Sequence, residues 1–224
     1  TVPFVEITAS NIEKIEKFLF PAIVKTARFG YDGKGQVTVS RRSELLEKIK
    51  NLDYKHYILE KKVPLEMELS LILVRDKLGN MASYPLAENS HEDGILAQSV
   101  MPANVHPDIE KLAVSYGEKI ARQLDYVGVL TLEFFLSRGE LLLNEMAPRP
   151  HNSGHQTIDA SVTSQFEQQV RICTDLPLGD TTLNYHVKLE NILGDLWFLG
   201  DNAPPKEPNW HEVTGGVKIL KLYG

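Results

Sequence analysis

The chain has 224 residues, of which 42% are hydrophobic, and its 24 Lys and Arg residues against 30 Asp and Glu give a net charge of −6. That size fits one large domain or two lobes, and the charge excludes the basic surface that holds a nucleic-acid backbone. No segment approaches the roughly 18 apolar residues of a membrane helix. The single cysteine, Cys173, excludes an internal disulfide, and its apolar neighbours predict a core residue. We therefore expect a cytoplasmic protein with neither nucleic-acid nor membrane partners.

The first 60 residues alternate between helix and strand patterns. Ser10 and Glu13 have the spacing of a capping box and predict a short helix that ends near Leu19. The other predicted elements are strands at 21–25, 36–40 and 56–60 and a helix over 43–51. Together these elements predict a compact α+β lobe over residues 1–60.

Residues 61–178 predict a second lobe built on two hairpins. In the first, the strand 66–75 carries its leucines on one face and returns through 81–87. A long helix with an apolar face from Ile109 to Leu124 separates it from the second hairpin. That hairpin joins 127–136 to 141–146, and a helix over 164–173 follows it.

The tail, residues 179–224, is broken into short pieces by prolines. It carries strand-like runs at 186–193 and 217–222. We expect a small β-rich appendage, and the fold class predicted for the whole chain is α+β.

A glycine-rich segment, GYDGKGQ, follows the strand at 21–25. Its glycines, Gly30, Gly33 and Gly35, lack side chains, so backbone N–H groups can approach a phosphate. Lys25 ends the preceding strand and can place its charge on the same anion. The alternatives are an ordinary hairpin turn and a solvated lysine.

Two glutamates in the second hairpin predict a metal site. If the turn pairs Ser137 with Leu141, Glu133 lies directly opposite Glu145, and like charges at that distance repel. A divalent cation relieves the repulsion, and carboxylates beside substrate phosphates are what Mg²⁺ uses in ATP enzymes. The alternative is a slipped register that points one glutamate to solvent. Asn144 falls on the other face unless the strand carries a bulge.

The loop APRPHNSGH, residues 147–155, concentrates hydrogen-bond donors directly after these glutamates. Arg149 can bind a carboxylate or a phosphate through two parallel hydrogen bonds. Two histidines, an arginine and an asparagine held between prolines exceed what a connecting loop needs. This composition predicts a substrate-binding loop.

Three strings in the chain, IVKTARFGYDGKGQ, YPLAENSHEDGIL and LLLNEMAPRPHNSGHQTIDASVTSQFE, resemble the ATP-dependent 5-(carboxyamino)imidazole ribonucleotide synthases of purine biosynthesis. The resemblance spans about residues 20–178. It implies an ATP-grasp fold, in which two α+β lobes clamp ATP.

The resemblance also implies roles for individual residues. The ATP phosphates would be held by Lys25, Gly30, Tyr31, Asp32, Gly33, Lys34, Gly35 and Gln36. The adenine hinge would be Glu60, Lys61, Lys62 and Val63, and Glu68 would bind the ribose. The other expected ATP-binding residues are His91, Asn144 and Glu145. The metal carboxylates correspond to Glu133 and Glu145. The expected catalytic residues are Lys25, Arg149, His151 and Asn152, the last three on the side of the nucleotide substrate and bicarbonate.

The reaction implied is carboxylation of 5-aminoimidazole ribonucleotide with ATP and bicarbonate, through carboxyphosphate, releasing ADP and phosphate. The expected cofactors are ATP and Mg²⁺, with Mn²⁺ as a substitute, and the expected assembly is a homodimer. Ala147 stands where many ATP-grasp enzymes have an asparagine that binds the metal. The alternatives are a formate-dependent glycinamide ribonucleotide transformylase, whose loop resembles SPRPHDTG, and a non-catalytic ATP-binding module.

The family has an N-terminal nucleotide-fold domain and a basic C-terminal segment. The chain begins Thr1-Val2-Pro3-Phe4, without Met, and carries neither of these parts. We expect it to be a fragment that starts after the first part and ends before the second.

Overall fold

The computed structural model describes residues 1–8, 10–12, 15, 19–27, 35–49, 57–198, 204–213, 215, 219 and 221. It divides the chain into two compact units, Thr1–Glu190 and Asn191–Gly224. Outside the described residues lie Gly30 to Lys34 of the glycine loop, half of the helix predicted over 10–19, and most of the strand predicted at 217–222.

A four-stranded antiparallel sheet occupies the first part of the larger unit. Its strands lie in the order β1-β4-β2-β3. They are β1 (Phe4–Ile7), β2 (Ala22–Thr26), β3 (Gln36–Val39) and β4 (Tyr57–Lys61), and α1 (Arg42–Lys48) follows β3. Apolar side chains of this sheet pack around Leu45 of α1 in one core cluster. The sheet therefore presents Lys25, near the end of β2, beside the first residue of β3.

A seven-stranded antiparallel sheet follows, in the order β10-β9-β5-β7-β8-β11, with β6 also paired to β5. Its strands are β5 (Met67–Arg75), β6 (Met81–Ser83), β7 (Ala87–Glu92), β8 (Ile95–Met101), β9 (Gly128–Ser137), β10 (Glu140–Ala147) and β11 (Val187–Glu190). Its helices are α2 (Pro107–Gln123), α3 (Thr157–Ala160) and α4 (Gln165–Cys173). The predicted mixture of helices and strands is confirmed.

The two faces of the large sheet are covered by different helices. Because side chains alternate along a strand, Leu69, Leu71 and Leu73 of β5 share one face, as predicted, and pack against α2. Gly117 allows the close approach of α2, since a Cβ there would lie 2.7 Å from Leu71 Cδ2. On the opposite face, Ile72 belongs to a cluster that includes a residue of α4. The polar residues of the candidate site continue this second face.

The hairpin of β9 and β10 turns through Arg138 and Gly139. Their φ angles are +52° and +75°, as the tight two-residue hairpin turn requires. Ser137 therefore pairs with Glu140. The predicted pairing of Ser137 with Leu141 is wrong, because the turn is one residue shorter than that register needs.

The structure differs from the sequence analysis in three other features. Cys173 is exposed, because the helical period turns Ile172 inward and leaves its neighbour at the surface. The hairpin of β7 and β8 was not predicted. The run at 186–193 does contain a strand, but that strand is β11, which pairs with β8 of the large sheet.

The smaller unit contains short helices. A 3₁₀ helix spans Gly194–Trp197 and α5 spans Trp210–Val213, with the Trp197 and Trp210 rings 5.9 Å apart. No strand occurs among the described residues after Glu190, and the strand expected at 217–222 lies mostly outside them, so the β-rich appendage stays a prediction. The lobe boundaries expected at residues 60 and 178 stay predictions. Within the described part of the chain, no helix is both long and apolar enough to cross a membrane.

Candidate active site

Lys25 lies between the two sheets with its ammonium group held by two partners. Its Nζ is 2.6 Å from Glu60 Oε1 on the neighbouring strand β4 and donates to Asn144 Oδ1 of β10 at 3.1 Å. The Phe135 ring lies beneath it, 6.0 Å from Nζ to the ring centre. The Lys25 and Glu60 side chains are only 15% and 8% exposed. Little water competes for the ammonium, so its position is well defined.

A β-bulge at Asn144 brings two glutamates together. The register of β10 shifts between Leu143 and Glu145, so that Glu145 lies directly opposite Glu133. The predicted pairing of the two glutamates is confirmed, although the turn assumed for it is wrong. The same bulge turns Asn144 toward the site, where the amide oxygen of Asn144 accepts a hydrogen bond from Lys25.

Glu133 is largely buried and faces other acidic groups. Burial, and then repulsion from Glu145, raise the pKa of Glu133 from 4.5 to about 7. Its side chain is 16% exposed. With a pKa of about 7, Glu133 is only about half ionised at pH 7, and a cation beside the pair would favour its charged form.

His91 and Glu68 form a close hydrogen-bonded pair on neighbouring strands. His91 Nδ1 contacts Glu68 Oε2, and each side chain is 24% exposed. This hydrogen bond is the main reason that the pKa of His91 is raised. Glu68 and Glu133 share a face of the sheet, because β5 pairs Ser70 with Glu133 and Glu68 lies two residues before Ser70. The predicted nucleotide residues and metal residues therefore meet on one surface.

His151 faces Glu133 from the loop after β10. Its Nε2 lies 3.7 Å from Glu133 Oε1, and the His151 side chain is 13% exposed. Burial, with Arg149 next in effect, lowers the pKa of His151 to about 4. His151 is therefore neutral at pH 7, and its contact with Glu133 is not an ion pair.

The loop that carries His151 is held in place by contacts with α4 and with the large sheet. Gln165, at the start of α4 and fully buried, accepts from His151 N at 2.9 Å and donates to His151 O at 2.6 Å. Gly154 lies against the sheet, where an added Cβ would be 2.1 Å from Ile72 Cδ1. The loop is thus a packed part of the fold.

A set of buried polar side chains beneath this loop was missed by the sequence reading. They are Ser70, Asn89, Ser99, Ser153, Gln156 and Gln165. The signal available was the alternation of Glu68, Leu69, Ser70 and Leu71, which puts a small polar residue on the same face as Glu68.

Other predicted residues lie around this centre with less direct contacts. Arg149 Nη1 donates to Pro150 O at 2.9 Å, and Asn152 Oδ1 accepts from Ser153 N at 3.0 Å. Gly35 has a φ of +81°, and Gln36 pairs with Lys25 across β2 and β3. The hinge residues Lys61, Lys62 and Val63 lie at the end of β4 and in the connection to β5.

A comparison with known protein families identifies the family of this chain. The family described as ATP-grasp domain matches residues 1–166. The chain belongs to the ATP-grasp family. The ATP-grasp fold implied by the sequence resemblance is confirmed by this match and by solved structures of similar fold.

This ATP-grasp chain is similar to named synthases. It is 45% identical over 215 residues to the N5-carboxyaminoimidazole ribonucleotide synthase of Bacillus subtilis, covering 92% of this chain and 57% of that protein. The corresponding synthetase structure from Thermus thermophilus has a TM-score of 0.78 and 42% identity, covering 87% and 53%. A synthase from Aspergillus clavatus, in complex with ADP and 5-aminoimidazole ribonucleotide, has a TM-score of 0.77 and 29% identity, covering 87% and 52%. The chain spans about half the length of these relatives.

The ATP-grasp site fits a magnesium ion at Glu133 and Glu145. The two opposed carboxylates supply hard oxygen ligands, and burial together with repulsion from Glu145 raises the pKa of Glu133, as expected of a pair that a bound cation would stabilise. In the described part of the chain, no group of three or more His, Cys, Asp or Glu side chains is arranged to hold a metal. Two protein carboxylates completed by phosphate oxygens match the way Mg²⁺ binds in ATP enzymes.

Proposed function

We propose that this chain carries the active site for carboxylation of 5-aminoimidazole ribonucleotide. ATP and bicarbonate would be consumed, ADP and phosphate released, and 5-(carboxyamino)imidazole ribonucleotide formed in purine biosynthesis. The observation that carries the proposal is the meeting of Lys25, the Glu133–Glu145 pair and the His151 loop at one place. The names of the relatives and the Aspergillus clavatus complex support it.

Lys25 would bind the ATP phosphates. Its partners Glu60 and Asn144 hold the ammonium between the sheets, so that little side-chain entropy remains to be lost when an anion binds. In phosphoryl transfer the protein contributes mainly positioning and charge neutralisation. A fixed cation at this point does both.

Glu133 and Glu145 would hold Mg²⁺, which supplies neutralisation of phosphate charge when it is bound. His91 and Glu68 lie beside these carboxylates, where the resemblance implies the nucleotide. The chain itself contributes the oxygen ligands and excludes water from Glu133 by burial.

The loop 149–152 would bind bicarbonate and the ribonucleotide. The neutral His151 can donate a hydrogen bond to an oxygen of carboxyphosphate without adding charge to the site. Arg149 can bind an anionic group of the substrate. Carboxyphosphate would form from bicarbonate and the γ-phosphoryl group, and the exocyclic amine of the aminoimidazole would take up its carboxyl carbon.

The test measures ADP release by the whole protein with ATP, bicarbonate and 5-aminoimidazole ribonucleotide. We expect release to require both of the other substrates and to be lost in Glu145→Gln. Replacing these two substrates by formate and glycinamide ribonucleotide should give none. Release with formate instead would establish the transformylase alternative, and ATP binding without release would establish a non-catalytic module. The homodimer and the cytoplasmic location stay predictions.

A further inference from the structure

A chain of buried polar side chains connects the large sheet to His151. It consists of Gln156, Ser99, Asn89, Ser70 and Ser153, which we call the relay. The three serines are 0% exposed, Gln156 is 4% exposed and Asn89 is 7% exposed. Leaving a buried donor without an acceptor is costly, so the proton directions in the relay depend on one another.

The backbone carbonyl of Ser153 sets the direction, because a carbonyl can only accept. It lies 2.8 Å from Gln156 Nε2, so the amide nitrogen of Gln156 faces the relay. The same nitrogen donates to Ser99 Oγ at 3.0 Å. Ser99 must then donate its own proton, and its shortest contact is Asn89 Oδ1 at 2.8 Å, against 3.3 Å to the Ser153 carbonyl.

The remaining directions follow from the orientation of Asn89. With Oδ1 facing Ser99, Nδ2 donates to Ser70 Oγ at 3.0 Å. Ser70 then donates to Ser153 Oγ at 2.8 Å, and Ser153 donates to His151 Nδ1 at 2.9 Å. The backbone N–H of Ser153, which donates to Asn152 Oδ1 at 3.0 Å, also faces His151 Nδ1, at 3.4 Å. Two donors therefore face Nδ1, which must carry a lone pair.

We propose that the relay holds His151 as the tautomer with its proton on Nε2. Nε2 faces Glu133 Oε1 at 3.7 Å, so the relay presents a neutral donor to the carboxylate site. Ser70, Asn89 and Ser153 act through His151 and are positioning residues. What Nε2–H meets during turnover rests on the proposed function, whereas the tautomer is a property of the chain without ligands.

The test is ¹⁵N NMR of the histidine rings in the whole protein at neutral pH, without ligands and with chelator. The His151 signal is assigned by its loss in His151→Gln. We expect a pyridine-type shift for Nδ1 and a pyrrole-type shift for Nε2. The Nε2–H form should be in excess by at least about tenfold, because a proton on Nδ1 would face the buried donors of Ser153. A majority Nδ1–H form, or a doubly protonated ring, would overturn the proposal.

Two variants test whether the relay is the cause. Ser153→Ala removes the hydroxyl donor to Nδ1, so the tautomer ratio should fall at least about threefold and the Nδ1 shift should move toward that of an unbonded nitrogen. Ser70→Ala leaves the loop contacts of Ser153 in place but lets its hydroxyl turn, so the same change should occur in smaller degree. Ser70→Ala still decides the matter if Ser153→Ala does not fold. Wild-type ratio and shift in the folded variants would overturn the proposal.

Ser161→Ala is the matched control. Ser161 is also buried, at 7% exposure, and has no contact with the relay among the described hydrogen bonds. It should leave both ¹⁵N shifts unchanged, and a change equal to that of Ser70→Ala would contradict a specific relay. Because the readout needs no turnover, a protein that shows the expected tautomer but no bicarbonate-dependent ADP release would refute the proposed function alone.

Discussion

Lys25 is the residue at which stability and the proposed binding of ATP are coupled. Its ammonium lies between the nearly buried carboxylate of Glu60 and the amide of Asn144. Removing one member of a buried ion pair leaves the other member desolvated and unpaired. A substitution at Lys25 therefore has two separable effects.

We predict that Lys25→Met lowers the free energy of unfolding by about 3 kcal/mol and weakens binding of ATP with Mg²⁺. Adding Glu60→Gln should restore most of the stability, because no buried charge is then left unpaired. The double variant should still bind ATP weakly. Urea denaturation and calorimetry measure the two effects, and recovery of ATP affinity in the double variant would remove Lys25 from the phosphate site.

Glu133 predicts a pH dependence of stability in metal-free protein. Its pKa is about 7 in the folded state against 4.5 ordinarily, so its contribution is complete below pH 4.5 and is lost as the pH rises through 7. Burial is the main cause of this pKa, the charged groups that also shift it are Glu145, His91, Glu68 and Arg149, and His151 faces the carboxylate. The full difference corresponds to about 3 kcal/mol.

The prediction is checked by measuring the free energy of unfolding as a function of pH for wild type and for Glu133→Gln, whose amide resembles the protonated acid. With chelator present, wild type and variant should have similar unfolding free energies near pH 4.5, and the variant should be the more stable above pH 7. His151 has the opposite dependence, since its lowered pKa costs stability as the pH falls below 6.5. It is present in both proteins and cancels to first order in the difference. A difference that does not change with pH would show that Glu133 ionises normally.

At the scale of the elements, the hairpin of β9 and β10 places a repulsive pair in a packed sheet. Glu145→Gln removes the repulsion, so we predict that the variant melts no lower than wild type without metal. It should lose most of the rise in melting temperature that Mg²⁺ and ATP produce, because that rise reports ligand affinity. Glu140→Gln, on the same strand beside the turn, is the control and should keep the full rise. Loss of stability with the rise retained would make Glu145 structural.

The sequence was sufficient to predict that Glu133 meets Glu145 but not how. The assumed turn was one residue too long, and the bulge at Asn144 adds one residue back, so the two errors cancel. A bulge leaves no local signature in residue periodicity, because any residue can take the extra position. The pairing followed from hairpin geometry, whereas the contact of Asn144 with Lys25 needed the tertiary structure.

The strands β7 and β8 and the relay could not be read from local pattern. β7 is Ala-Glu-Asn-Ser-His-Glu, and such residues have low strand propensity, so only its position between β5 and β8 makes it a strand. Ser70 and Ser153 are 83 residues apart, and nothing in either neighbourhood shows that the two hydroxyls meet. By contrast, the loop of Arg149 and His151 stood out because its composition exceeds what a turn requires.

At the scale of the whole molecule, the cores lie in the larger unit. All three apolar clusters fall within Thr1–Glu190, and none of the described residues after Glu190 is buried. We predict that a chain ending at Glu190 unfolds cooperatively with a free energy within about 1 kcal/mol of the complete chain, since exposed residues contribute little. Urea unfolding followed by far-ultraviolet circular dichroism is the measurement. A larger loss would show that residues 191–224 stabilise the larger unit.

The contact between Lys25 and Asn144 also has a kinetic meaning. It joins residues 119 apart in sequence, whereas the β9–β10 hairpin closes through a two-residue turn. Closing a long loop costs entropy before its contacts compensate, so we expect this contact to form after the folding transition state. Lys25→Met, the destabilised single variant, should then unfold faster and keep a nearly unchanged folding rate in stopped-flow measurements. Equal changes in both rates would mean instead that the two sheets already meet in the transition state.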